Sequence, residues 1–272
     1  MLIATLAFTL MQIIIKDLTA INVPQIVFFR SGVTSLLCIS FLRSKGIPLI
    51  GTNQKYLALR AIFGITSMTL FFITLRTIPL GASISIKYLS PVFAAIFATL
   101  FLKEKIKSLQ WIFIALAMVG VLLLKGFDSR IDNLSLGLGA VGALFGGLVY
   151  VTIGKIGKSE HPLVIINYFM FSAAVLSGLV MIFSWHNPTP IEWVKLLVLG
   201  SLGFVGQLNM TRSFQMEDVS NVAPVKYMEI IYSLLIGFFW FGEVYSWLSL
   251  AGILMILVGM LLNLLVKAGR LG

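Results

Sequence analysis

Two stretches of the chain repeat one another and constrain what it can fold into. Leu80 to Leu124 runs through Lys87-Tyr88 (IKYLSP), an apolar run, Glu104 at a helix end, and a second apolar run through Gly120. Val219 to Asn263 keeps the same order without a gap, through Lys226-Tyr227 (VKYMEI), Glu243 (FGE) and Gly259. One offset of 139 residues superimposes both Lys-Tyr pairs, both Glu and both Gly. Each copy holds two segments long enough to cross a bilayer, so the chain reads as an internally duplicated membrane protein.

At 59% hydrophobic and 11% charged residues, with a mean hydropathy of +1.03, the chain has too little polar surface to cover a soluble globule. Apolar runs separated by charge or by Pro/Gly/Asn clusters give ten candidate spans, near residues 2–16, 24–42, 55–75, 81–102, 108–125, 134–154, 163–184, 193–214, 220–241 and 247–266. The expected fold is an all-α membrane protein of ten transmembrane helices in two inverted five-helix repeats, residues 1–125 and 134–268. No connection exceeds about a dozen residues, which leaves no soluble domain, and Gly126 to Asn133 links the halves. Met1 to Ile15 lacks a positive leader and a small-x-small cleavage site, so it reads as a retained first helix at the lower length limit for spanning. Gly137, Gly139, Gly142, Gly146 and Gly147 in the sixth span, with Gly200, Gly203 and Gly206 in the eighth, would let helix backbones approach closely inside one monomer.

The net charge of +10 is spread singly beside apolar runs, a marker of membrane sidedness rather than of nucleic-acid binding. Arg43, Lys45, Lys55, Lys103, Lys105, Lys107, Lys155, Lys158, Arg212, Lys267 and Arg270 fall on the side of the termini, against Lys16, Arg76, Lys125, Arg130 and Lys195 opposite. Eleven against five places both termini in the cytoplasm of a multi-pass cell-membrane protein. Five spans per half is an odd number, so the second half enters the membrane upside down, with Glu104 cytoplasmic and Glu243 outside. The single cysteine, Cys38, lies in an apolar run and has no disulfide partner.

Several local patterns run together along the whole chain: Arg30 in FFR, Arg60-Ala61 with Gly64 in LRAIFG, Pro91 followed by FLKE at Glu104, and Gly120 in VGVLLL. The second half adds Pro224, FGE at Glu243 and Gly259 in VGMLLN. In these the sequence resembles the drug/metabolite transporter superfamily, in its EamA-type, ten-span branch. The resemblance implies a solute carrier with a central cavity between its halves. That branch has members exporting amino acids or drugs and members importing riboflavin, nucleotide-sugar or S-adenosylmethionine-like metabolites.

Ionisable residues inside spans are the sharpest functional signal, each costing about 2.5–3.5 kcal/mol at the bilayer centre on insertion scales. Arg30, Arg60, Lys87, Lys226 and Glu229 qualify. Glu229 is the deepest, about 14 Å from its span end, and is the expected coupling carboxylate, with Lys226 three residues before it on the same helix face. Lys87 and Lys226 occupy equivalent points of the repeat, where inverted-repeat carriers place their site. For Arg30 and Arg60, bonding to backbone carbonyls stands beside a substrate role. For Tyr88 and Tyr227, stacking on a planar solute stands beside membership of an interfacial belt. Glu104 and Glu243 read as helix-end residues or partners of nearby lysines. Pro91 lies mid-span and suggests a hinge. Gln207 and Asn209 are cavity hydrogen-bonders or interhelical glue.

No P-loop, H-E-x-x-H or G-x-S-x-G pattern occurs, and both histidines, His161 and His186, fall between spans. An enzyme is therefore not expected, nor is a cofactor or metal. The leading reading is a secondary transporter of a small metabolite, anionic or planar, working by alternating access in the lipid bilayer, with a proton as candidate coupling ion. Exporters of amino acids or drugs and uptake carriers for S-adenosylmethionine-like solutes are the alternatives within that class. A membrane receptor or structural subunit is the alternative outside it, though a passive bundle has no reason to sustain buried charge. The excess of positive over negative charge within the spans points to an anionic group on the solute.

Overall fold

In bilayer hydrocarbon each backbone polar group must be satisfied within its own segment or within a closed barrel, so long apolar runs of this kind become helices. The computed structural model describes residues 1–102, 108–157, 159–216 and 227–267. Among the described residues there are no strands and eleven α-helices. They are α1 (Leu2–Asp17), α2 (Val23–Ser44), α3 (Gln54–Thr77), α4 (Leu80–Lys87), α5 (Ser90–Leu102), α6 (Ser108–Phe127), α7 (Asn133–Ile156), α8 (Pro162–Met181), α9 (Pro190–Met216), α10 (Met228–Phe241) and α11 (Trp247–Lys267). A short 3-10 turn, Ile182–Ser184, extends α8. Five of these segments are long and apolar enough to cross a membrane unaided: α2, α3, α7, α8 with its extension, and the first 21 residues of α9. The protein is an all-helical, ten-span, two-repeat membrane protein.

One expected span is not a continuous helix. The stretch 81–102 is two helices, α4 and α5, broken at Tyr88 and Leu89. Pro91 is the second residue of α5, where its missing N–H leaves no intrahelical bond unmade, so the break lies before it and not at it. In the second copy α10 begins at the matching register, its N-cap Tyr227 standing 139 residues after Tyr88. Lys226, Pro224 and Glu104 lie outside the described residues.

Helix starts follow local chemistry. Asn22 accepts a hydrogen bond from Gln25 N (2.9 Å) ahead of α2, and Asp132 accepts one from Ser135 N (2.5 Å) ahead of α7. Gly242 ends α10 in the left-handed conformation, φ 62°, which a residue with a side chain rarely adopts.

The two halves interleave. α6 packs on α11, α2 on α8, α3 on α7 and α1 on α9. Exchanging the halves maps this set onto itself: α6/α11 and α2/α8 each pair equivalent spans, while α3/α7 and α1/α9 exchange. At the α6–α11 crossing the backbones touch, and a Cβ at Gly120 would come within 2.6 Å of the Gly252 carbonyl oxygen. Several glycines of α7 and α9 likewise face helices of the first half, Gly147 against Phe93, Gly200 against Val33 and Gly206 against Phe8, whereas Gly137 meets nothing within 4 Å. The outer surface carries exposed Leu36, Phe183, Phe239, Trp240 and Trp247, an apolar belt suited to lipid.

Loops gather at two ends. Arg76 donates to the carbonyls of Ile21 and Thr19, Lys195 pairs with Asp17, and Arg130 donates to Val244 O (2.7 Å), which brings Arg76, Arg130 and Lys195, of the basic residues expected opposite the termini, to one end. At the other end Glu160 reaches the start of α3, accepting from Asn53 N and Thr52 N at 2.6 Å each.

Candidate functional site

The helix break at Tyr88 and the start of α10 at Tyr227 place polar groups deep in the bundle. Glu229 is the second residue of α10, so its carboxylate sits at the positive end of that helix dipole. Its side chain is fully buried, and it is held from the first half of the chain. Lys87 Nζ lies 3.3 Å from Glu229 Oε1, the Tyr88 hydroxyl donates to Oε2 at 2.8 Å, and Gln12 Nε2 donates to Oε1. Lys87 also lies over the Phe71 ring, 4.2 Å from its centroid, and keeps 31% of its side chain exposed. The Tyr88 and Tyr227 rings meet edge to face at 5.2 Å. A cavity of about 10 Å³, room for about one water molecule, adjoins Lys87 and is lined also by Ser67, Phe71, Thr74 and Ser83.

Beside Glu229 the structure places Lys87, 142 residues away and in the other half; Lys226, the neighbour expected to pair with it, lies outside the described residues. Lys87 is therefore not a free cavity cation but half of an ion pair across the repeats. Gln12 was not among the sequence candidates. Its signal was there, because it is a lone amide in a 15-residue apolar run, on the same buried face as Thr5 and Thr9. Of the other two polar candidates, Asn209 bonds back to Val205 O of its own helix at 2.9 Å.

A second polar cluster lies at the end of α10. Glu243 pairs with Lys16 (2.7 Å), accepts from the backbone N–H of Leu80 (2.9 and 3.0 Å) and from the Tyr245 hydroxyl (2.6 Å). It thus caps α4 and ties it to α1 and α10, which is the helix-end role expected for it. A cleft of about 340 Å³ opens there, lined by Lys16, Arg76, Arg130 and Glu243 among others.

Arg30 and Arg60 form a third group, separate from the first. Both are buried, and both stand over the Phe169 ring of α8. Among the described residues neither has a backbone carbonyl as acceptor, and Arg30 Nη1 meets the thioethers of Met68 and Met170. Among the described residues no three of His, Cys, Asp or Glu come together as a metal-binding set.

The sequence profile of the EamA-like transporter family matches residues 1–125 and 133–265. The pseudopaline exporter CntI of Pseudomonas aeruginosa is 27% identical over 258 residues, covering 94% of this chain and 91% of that one. Mouse solute carrier family 35 member G1 is 27% identical, covering 92% and 73%. An S-adenosylmethionine uptake transporter of Rickettsia bellii is 24% identical, covering 83% and 78%. A crystal structure with 16% identity superposes with a TM-score of 0.71 over 99% of this chain and 96% of that one, a likeness of fold alone.

Proposed function

Because the chain belongs to the EamA-like transporter family, we propose that the cluster around Glu229 is the coupling site of a proton-linked secondary transporter. The observation that carries this reading is that one buried carboxylate of the second half is held by three side chains of the first, Gln12, Lys87 and Tyr88. Ionised, Glu229 latches the halves together. Protonated, it loses its charge attraction to Lys87 and turns one acceptor oxygen into a donor, which frees the halves to rock about the break at Tyr88 and the start of α10 at Tyr227. Residues 1–125 and 134–268 are the two rocking units. Pro91, beside the break, stiffens the start of α5 and so confines the bending to Tyr88 and Leu89. The charge bias of the loops puts both termini in the cytoplasm. The chain acts as a carrier and performs no catalytic step.

The family's relatives suggest two directions for the solute. Likeness to a pseudopaline exporter favours export. Likeness to an S-adenosylmethionine uptake transporter favours import of a planar, cationic solute, for which Tyr88, Tyr227 and Glu229 offer two rings and a countercharge. Lys226 would be the symmetric partner of Lys87 in either case.

The test is flux into proteoliposomes loaded with a pH-sensitive dye and offered a panel of amino acids, flavins and S-adenosylmethionine. A solute of the panel should change the lumenal pH with wild type and not with Glu229→Gln. If Glu229→Gln leaves both the solute flux and its pH dependence intact, the coupling role is gone.

A further inference from the structure

The cycle just described leaves two buried cations unused. Arg30 of α2 and Arg60 of α3 are 3% and 7% exposed, and their guanidinium carbons lie 5.9 and 4.3 Å from the centroid of one ring, Phe169. Arg30 Nη1 donates to Met68 Sδ at 2.8 Å and Met170 Sδ at 3.1 Å. Among the described residues Arg30 Nε, Arg60 Nε and Arg60 Nη1 have no hydrogen-bond partner. No carboxylate among the described residues pairs with either arginine. On the α9 side Arg30 Nε meets Gly203, which has no side chain to accept from it; a Cβ there would lie 3.3 Å away.

A guanidinium does not shed its proton in a protein, so burial cannot be relieved by neutralisation as it can for lysine. Thioether sulfur is a weak acceptor, and an aromatic face compensates only part of a desolvated charge. A full charge buried without a counter-charge is among the most unfavourable states a fold can hold. Packing alone would be served better by apolar residues of similar volume. Two planar forks brought over one ring, with unused N–H groups, match a planar anion that accepts in pairs.

We propose that Arg30 and Arg60 bind a carboxylate group of the transported solute, with the Phe169 ring as the apolar wall of the site. This rests on the transporter reading above and names the chemistry of what is carried. Met68, Met170 and Phe169 make a soft, weakly hydrating surround, which suits a singly charged carboxylate on an organic body better than a doubly charged phosphate.

The full-length protein in detergent is titrated at fixed ionic strength with acetate, benzoate and succinate, with benzamide as the neutral counterpart and with inorganic phosphate. Melting temperature is the readout. A carboxylate of the panel should raise it saturably, and benzamide should not. Arg30→Gln and Arg60→Gln should each weaken the apparent affinity about tenfold or more, the scale of a lost charge-assisted bond. Arg30→Lys and Arg60→Lys keep the charge but lose the fork, so they should bind with intermediate affinity and serve if the Gln variants do not fold. Unchanged affinity in both Lys variants, equal stabilisation by benzamide, stabilisation by phosphate alone, or none by any carboxylate would each overturn the proposal. The measurement is of equilibrium binding and needs no flux, so the coupling role of Glu229 stands or falls separately.

Discussion

At the scale of residues, the decisive contact is one that local spacing along a helix does not announce. Glu229 was legible as an exceptional carboxylate because no other acidic residue lies so deep in a span, but its contact with Lys87 was not, since residue spacing reports neighbours along a helix and Lys87 arrives from another repeat. The pair can be weighed by a double-mutant cycle with Lys87→Met and Glu229→Gln. We expect a coupling energy of about 1 kcal/mol in melting experiments, toward the low end for a contacting pair because Lys87 is one-third solvated. Additive single effects would mean that the ion pair does not hold the halves. The arginines illustrate the converse. Sequence alone could not choose between a backbone role and a ligand role, and the burial of unpartnered N–H groups is the observation on which the proposed ligand role rests.

At the scale of elements, apolar runs bounded by Asn22-Pro24, Asp132 and His161-Pro162 foretell the helices to within a few residues, because the caps and the apolar length are both local. The split of the fourth span was legible only as a hinge suggested at Pro91; the break itself falls just before it, at Tyr88 and Leu89, which carry no breaker of their own. The α6–α11 crossing makes a sharp prediction. Gly120→Val forces a side chain into the Gly252 carbonyl and should destabilise by about 3 kcal/mol, whereas Gly137→Ala, with nothing within 4 Å, should stay within about 0.5 kcal/mol of wild type. Equal melting temperatures for the two variants would contradict the crossing. The start of α3 makes a pH prediction. The Asn53 backbone N–H, aided by Thr52, holds the Glu160 carboxyl below the usual carboxylate range. Its stabilisation is therefore fully present above the unfolded value near 4.3 and is lost as pH falls through the lowered folded value. Melting curves on the acid side should show this loss in wild type and a flatter acid limb in Glu160→Gln.

At the scale of the molecule, a repeat of 139 residues and a count of ten spans were enough to reach a two-repeat bundle, because an odd number of spans per half leaves no choice but inversion. What the count leaves out is that the halves interleave, α1 on α9 and α7 on α3, so that rocking must break contacts between them. Reporter fusions after Lys105 and after Val244 should report opposite sides of the membrane, and the same side for both would end the inverted arrangement. The most direct test of Glu229 as the coupling group compares two fluxes in one preparation of proteoliposomes, using the panel solute that the wild type carries. One is counterflow exchange at equal pH; the other is net movement driven by a pH gradient. Glu229→Gln should keep exchange and lose the gradient-driven component, and a variant that responds to the gradient as wild type does would contradict the proposed coupling.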